Sequence, residues 1–257
     1  MVVGDGGAVV DLAAPQLVLN SRALYIGWLP ADPASVAAML PAGLRPHPDR
    51  TVVLHQRVVD DETQTSGLGA HDLTHLAVAL DGAATPGGAG AWWTHHVTSN
   101  ERMLAQSRAC GAPAYPGRTS VEVRGGVLVA ETELDGVPVV RVRCHVGETG
   151  HAVRSGHHRY LSRCHGDLVS CVYAYVAEPV TPFEIESVEF LEPDHPVYAL
   201  RPANPLTIVC GYYAPRASFA SPGGLTVHPQ ETGRQGARVA LATASRRAGR
   251  LVEPVRR

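Results

Sequence analysis

Two pairs of histidines carry the strongest chemical signal in this sequence. His71 and His75 stand four apart in His-Asp-Leu-Thr-His, and His95 and His96 are adjacent behind Trp92 and Trp93. Imidazole changes charge near neutral pH, so a histidine held in a cavity serves as a general acid or base. Residues 71, 73 and 75 of a strand point to one face, which puts His71 and His75 on the same side. Of His95 and His96, a strand turns one inward and the other outward, and Trp92 and Trp93 offer one aromatic wall by the same alternation. His157 and His158 repeat the adjacent arrangement later, with weaker framing. A shared metal at His71 and His75 fails on distance: four strand residues span about 13 Å, while zinc–nitrogen bonds of about 2.1 Å need ligands that nearly touch. No metal and no cofactor are expected.

All 22 basic residues are arginine, so the chain has no lysine. Imine formation with a carbonyl substrate uses a lysine of lowered pKa, and the one primary amine left is at Met1. Cys110, Cys144, Cys164, Cys171 and Cys210 are odd in number and widely spaced, which suggests neither a disulfide framework nor a zinc site. The absence of lysine alongside abundant Ala, Gly, Arg and Pro also fits a GC-rich coding bias.

The elements that must position these groups are mainly strands. Asp32 followed by Pro33 and an apolar run to Leu40 signals a short helix, stopped by Pro41 and Gly43. Strands are expected over 51–59, 73–80, 91–97, 127–134, 137–146, 168–177 and 185–190, with an earlier one near 23–28. Leu134-Asp135-Gly136-Val137 marks a hairpin. A helical spacing returns over 100–109. At 257 residues, 45% apolar and 18% charged, the chain reads as one globular domain over 1–257, with a loose N-terminal arm at 1–20. The segment 234–257 has seven arginines against Glu253 alone and reads as a solvated helix or tail. A formal charge of -2 gives no argument for nucleic acid or an anionic membrane. No apolar stretch is long enough to span a bilayer and no secretory leader is read, so the expected place is the cytoplasm.

Five segments in order resemble the acetoacetate decarboxylase family. They are Asp32-Pro33-Ala34 through Met39-Leu40-Pro41-Ala42-Gly43-Leu44, Thr65-Ser66-Gly67-Leu68-Gly69 with Ala77-Val78-Ala79-Leu80, Trp92 to Glu101, Asn100-Glu101 to Ser107-Arg108-Ala109, and Tyr160 to Cys171. The resemblance implies an α+β, mainly β fold, a cone-like antiparallel β-barrel with flanking helices, an internal substrate cavity and assembly into a homo-oligomer. The family's Schiff-base lysine falls, in one register, at Tyr115-Pro116-Gly117-Arg118, and in another at Gly111-Ala112-Pro113-Ala114-Tyr115. Neither contains a lysine. One family glutamate falls on Leu73, or on His75 if the strand slips by two, and another near Val58. Glu101 and Arg108 match framing residues of the family's helix. The resemblance therefore implies the fold, while the decarboxylation mechanism does not carry over.

The expected function is an enzyme of specialised metabolism that performs lysine-independent acid–base chemistry, by cyclisation, dehydration or decarboxylation, on an oxo-acid or polyketide-like substrate. The alternative is a non-catalytic small-molecule-binding protein on the same fold. Expected catalytic groups are His75, His71, His95 and Tyr115. Expected substrate-binding groups are Arg118, His96, Trp92, Trp93, Glu101 and Arg108, since arginine holds carboxylate or enolate oxygens by paired hydrogen bonds. Segments 71–80, 91–97 and 127–146 are expected to line one cavity.

Overall fold

The computed structural model describes residues 2–3, 9–150 and 152–229, so the Arg-rich segment 234–257 lies outside the described residues. In chain order the strands are β1 (Val2–Val3), β2 (Val9–Val10), β3 (Gln16–Trp28), β4 (Val52–Val59), β5 (His71–Ala79), β6 (Ala91–Thr98) and β7 (Ala114–Arg124). They continue as β8 (Val127–Leu134), β9 (Val137–Thr149), β10 (Arg154–Cys164), β11 (Asp167–Glu178), β12 (Val180–Phe190), β13 (Ile208–Ser221) and β14 (Thr226–His228). Helix α1 spans Pro33–Ala38 and α2 spans Glu101–Ala109. Neither helix is long and apolar enough to cross a membrane.

Alternation along β4 sets the architecture. Val52, Leu54 and Val58 join one large apolar core, while Val53 and Val59 belong to two other clusters on the opposite face, the face that also carries His55 and Arg57. The first face packs against a sheet of β7, β8, β9 and β12, whose Val121, Leu128, Ala130, Val140 and Val142 complete that core. The second face lines the inside of a barrel. Its seven strands run β10-β11-β13-β3-β4-β5-β6, and a short parallel pairing of β10 with β6, at Tyr160↔Ala91 and Leu161↔Trp92, closes it.

β6 belongs to both layers. Its first half closes the barrel, and His96, Val97 and Thr98 pair in parallel with Ala114, Tyr115 and Pro116 of β7, which leaves for the second sheet. The barrel is thus antiparallel except where β6 meets β10, and the mainly β architecture expected from the sequence, a β-barrel with flanking helices, is the one found.

The two helices and the marked hairpin form where the sequence places them. Asp32 accepts hydrogen bonds from the backbone N–H groups of Ala34 and Ser35, both at 3.0 Å, at the start of α1. Asp135 and Gly136 take positive φ of 51° and 77° in the β8–β9 turn, the left-handed conformation a two-residue hairpin demands. β3 starts at Gln16, well before the expected 23–28. Strands β7 and β13 were not expected, and β10 only from Tyr160, where the resemblance implies a strand-turn-strand to Cys171: Pro116 and Gly117 interrupt the first, Gly211 and Pro215 interrupt the second, and β10 is largely polar. One expectation is corrected outright. Segment 127–146 forms β8 and most of β9, which pack on the outside of the barrel and do not line its interior.

Candidate active site

Three histidines meet side by side inside the barrel because their strands are in register. His55 on β4 pairs with His75 on β5, and His75 pairs with His96 on β6. Strict alternation would have turned either Trp93 or His96 outward. β6 pairs His95 with Leu76 and Trp93 with Ala77, leaving Thr94 as an extra residue, and this bulge turns both Trp93 and His96 inward. The rings of His75 and His96 are 4.5 Å apart between centroids, and those of His55 and His75 are 5.9 Å apart. Trp93 stacks on Tyr160 at 5.0 Å and 7°, and both rings meet the His75 ring edge-on.

Arg57, two residues along β4 from His55, is the centre of the site. The cavity around it has an enclosed volume of about 40 Å³ and opens to solvent. Among the described residues lining it, Arg57 alone is charged at neutral pH and none is a carboxylate. Its guanidinium lies over the Phe219 ring at 4.9 Å and donates to His71 Nε2 at 3.3 Å. Arg57 Nε is buried with no partner from the protein, and no ion pair reaches this side chain among the described residues. Burial lowers the Arg57 pKa to about 10, with Tyr173 and Tyr160 acting in the opposite direction, so it stays cationic at neutral pH.

The histidines around this cation are held neutral. Burial lowers His71 to about 4 and His96 to about 3, and the Arg57 charge pushes both further in the same direction. His75 and His55 are held well below the ordinary imidazole value, first by burial and then by neighbouring histidines and Arg57. Hydrogen bonding fixes one tautomer. His71 Nδ1 lies 2.9 Å from the Gly69 carbonyl, which can only accept, so Nδ1 carries the proton and Nε2 is free to accept from Arg57. His75 differs from the rest in that both ring nitrogens are buried without a partner among the described residues.

One end of the cavity is closed by α2, through Met103, Gln106 and Ser107, by Cys110 directly after it, and by Leu68 in the turn 65–70. Leu68, Leu73 and Met103 form a small apolar cluster there. Asn100 ties the two parts together: its Oδ1 accepts from Met103 N–H at the start of α2, and its Nδ2 donates to the carbonyls of Leu68 and Ala70. Gly111 ends the helix at φ 77°, where a Cβ would stand 2.1 Å from the Arg163 carbonyl oxygen. Asn100→Ala should lower stability by about 2 kcal/mol, a lost cap plus two lost hydrogen bonds, and weaken ligand binding by loosening the closed end. Urea unfolding checks the first, and unchanged stability would show that the turn is held some other way.

Solved structures share this architecture. An acetoacetate decarboxylase superposes with a TM-score of 0.63 at 17% identity, covering 84% of this chain and 89% of its own. The acetoacetate decarboxylase of Legionella pneumophila gives 0.63 at 13%, covering 86% and 91%. The enduracididine biosynthesis enzyme MppR complexed with pyruvate gives 0.59 at 12%, covering 87% and 94%. The chain has the acetoacetate decarboxylase fold. No family model and no curated protein sequence matches it.

Within the acetoacetate decarboxylase fold, the residues expected from the sequence divide into two groups. His75 and His96 line the cavity, His71 supports Arg57, and Trp93 backs the wall beside His75. His95, Tyr115, Arg118, Trp92, Glu101 and Arg108 do not converge with them. His95 faces away from the lumen toward Tyr115, at 5.9 Å between ring centroids, and His195, at 6.3 Å. Tyr115 is 43% exposed and Arg118 is exposed, because β7 carries both out of the barrel into the second sheet. Trp92 packs against the cluster of Leu80, Leu161 and Leu168 on the other side of the barrel wall. Glu101 is exposed on the first turn of α2, and exposed Arg108 donates from Nε to the Ala114 carbonyl. His55, Arg57, Tyr160, Tyr173 and Phe219 were missed as site residues. The signal that could have found two of them is the Val53-His55-Arg57-Val59 face of a strand whose other face is nearly all apolar. Among the described residues, no three His, Cys, Asp or Glu side chains are placed to hold a metal ion.

Proposed function

We propose that this chain is an enzyme of specialised metabolism that holds the carboxylate of an oxo-acid or polyketide-like substrate on Arg57 and moves a proton with His75, without an imine. The observation that supports this most is Arg57 itself, a buried cation with an unpartnered Nε, no carboxylate in its cavity and neutral imidazoles beside it. A buried unpaired charge is unfavourable by several kcal/mol, and an anionic ligand offsets that penalty with charge-assisted hydrogen bonds. Beside it, His75 is neutral, has both nitrogens free of protein partners, and so can take a proton from a carbon next to a carbonyl. Arg57 then favours the negative charge that develops on oxygen. Proton transfer by a positioned group contributes typically about 10²–10⁴-fold, enough for a substrate already activated by its oxo group. Cyclisation and dehydration of such a substrate can start from this enolate, and decarboxylation generates one by loss of carbon dioxide.

Pyruvate, which the MppR structure contains, is a suitable probe. In D2O the wild-type chain should bind pyruvate and exchange its methyl protons, followed by proton NMR. His75→Phe should keep the binding and lose the exchange. Binding without exchange in the wild type would identify a binding protein, and absence of binding by pyruvate, acetoacetate and longer oxo-acids would end the proposal. The missing lysine adds a separate expectation. Borohydride treatment with acetoacetate followed by intact mass should leave no adduct away from Met1, and a stoichiometric adduct inside the chain would exclude the imine-free mechanism.

A further inference from the structure

His55, His75 and His96 are not the whole series. On the opposite wall of the lumen, the His158 ring of β10 stands 5.5 Å from His55 between centroids. The four rings form one row, His96 to His75 to His55 to His158, with steps of 4.5, 5.9 and 5.5 Å. Every ring in it has a buried nitrogen with no partner among the described residues: His96 Nδ1, both nitrogens of His75, His55 Nε2 and His158 Nε2. Buried polar atoms are normally satisfied, and a phenylalanine would fill the same space without the desolvation penalty, so packing alone does not account for four such rings in contact.

The row ends at a second opening. His158 is sandwiched between Tyr25, at 4.6 Å, and Tyr175, at 4.7 Å, and it lines both the main cavity and a second cavity of about 200 Å³ together with Val53, Ala91 and His157. The main cavity is closed on the other side by α2. We propose that His55 and His158 are relay residues that carry protons between His75 and solvent at this second opening. The proposal rests on the acid–base reading of His75 given above.

The step balances with no added reactant. His75 takes a methyl proton from pyruvate, the C–H bond breaks, and its electron pair becomes the enolate. The imidazolium passes a proton from its other nitrogen to His55, His55 passes one to His158, and His158 releases one to water. In D2O a deuteron returns along the same row and forms the new C–D bond as the electron pair moves back to carbon. Gaps of this size are bridged by one water or a small ring rotation. The titratable groups facing the row are Arg57, His71, His157, Cys110, Tyr25, Tyr160, Tyr173 and Tyr175. Arg57 is the one cation among them and opposes a positive charge on any ring. A carboxylate bound to Arg57 offsets this, so the row conducts best when the ligand is in place.

The experiment uses the full-length chain. His158→Phe keeps a flat ring between the two tyrosines and removes both nitrogens. It should slow methyl-proton exchange of pyruvate by about tenfold or more and leave the pyruvate Kd within about twofold, and the matching loss in His158→Ala, which vacates the ring's space, should be partly restored by added imidazole. Exchange at the wild-type rate, or a loss in His158→Ala that imidazole does not restore, would overturn the relay. A second readout needs no turnover. In 15N-histidine-labelled protein, the ring N–H of His75 should exchange with solvent slowly in His158→Phe and quickly in the wild type. If wild-type protein binds pyruvate without exchanging its methyl protons, the acid–base reading fails, and the ring N–H comparison still decides the relay. Equal N–H exchange in both proteins sinks it. His55→Phe breaks the row one step earlier and provides the same comparison if His158→Phe does not fold.

Discussion

Arg57→Met should bind pyruvate about 100-fold or more weakly than the wild type and yet be more stable than the wild type without ligand. The first effect follows from removing one partner of a buried, hydrogen-bonded charge pair, which costs about 2–5 kcal/mol. The second follows from the same burial. Arg57 sits among aromatic rings with an unpartnered Nε and no carboxylate in its cavity. Its contacts are one long hydrogen bond to His71 and a cation–π contact with Phe219, which together return about 1–3 kcal/mol, whereas desolvating the ion costs several. Methionine has similar length and flexibility and no charge. Replacing buried ionic groups by well-packed apolar ones is often stabilising by about 1–4 kcal/mol. Urea unfolding and a pyruvate titration on the same preparation test both. A variant that loses stability and keeps binding would show that Arg57 is a structural residue.

Mild acid should unfold this protein. Imidazoles with ordinary pKa values near 6.5 in the unfolded chain are held at about 4 for His71, His95 and His158 and about 3 for His96. His55 and His75 are held lower than ordinary as well. Because the folded pKa is depressed, the unfolded state binds more protons between roughly pH 6.5 and the folded value, and stability falls as pH drops through that window. Above about pH 7 these groups are neutral in both states and contribute no slope. Each contributes up to about 1.4 kcal/mol per pH unit inside the window. Several acting together exceed the roughly 5–15 kcal/mol by which domains are stable. Urea midpoints should therefore fall steeply from about pH 7 to about pH 5, where carboxylate protonation alone would have little effect. A flat profile across that range would mean the histidines are not buried neutral. Arg57→Met should soften the slope, since its charge is one cause of the depression at His55, His71, His75, His96 and His158.

The fold was more legible than the site, and the reason lies in the range of the interactions. Helix α1, helix α2 and the Asp135-Gly136 hairpin are written in capping and turn residues a few positions apart, and each formed where those residues stand. The inward placement of His71 and His75 follows from period-two alternation and was likewise readable. The meeting of His55 with His75 was not, because it depends on pairing β4 to β5 in one register out of several. His96 turned inward through a bulge that no turn residue announces. Arg57 went unnoticed among 22 arginines because nothing local separates a buried cation from an exposed one. The expectation for Tyr115 and Arg118 failed for a topological reason: β6 hands the chain to a second sheet at that point.

The large apolar core lies between the barrel wall and the second sheet, outside the lumen. Residues that hold the molecule together and residues that meet a ligand therefore alternate along the same strands while sharing few contacts. In β4, Val52, Leu54 and Val58 answer to folding, and His55 and Arg57 to whatever enters the barrel. Such a layout lets substitutions accumulate on one face of a strand without penalty on the other. Solved structures that share the scaffold at only 12–17% identity show how little of the sequence that packing fixes.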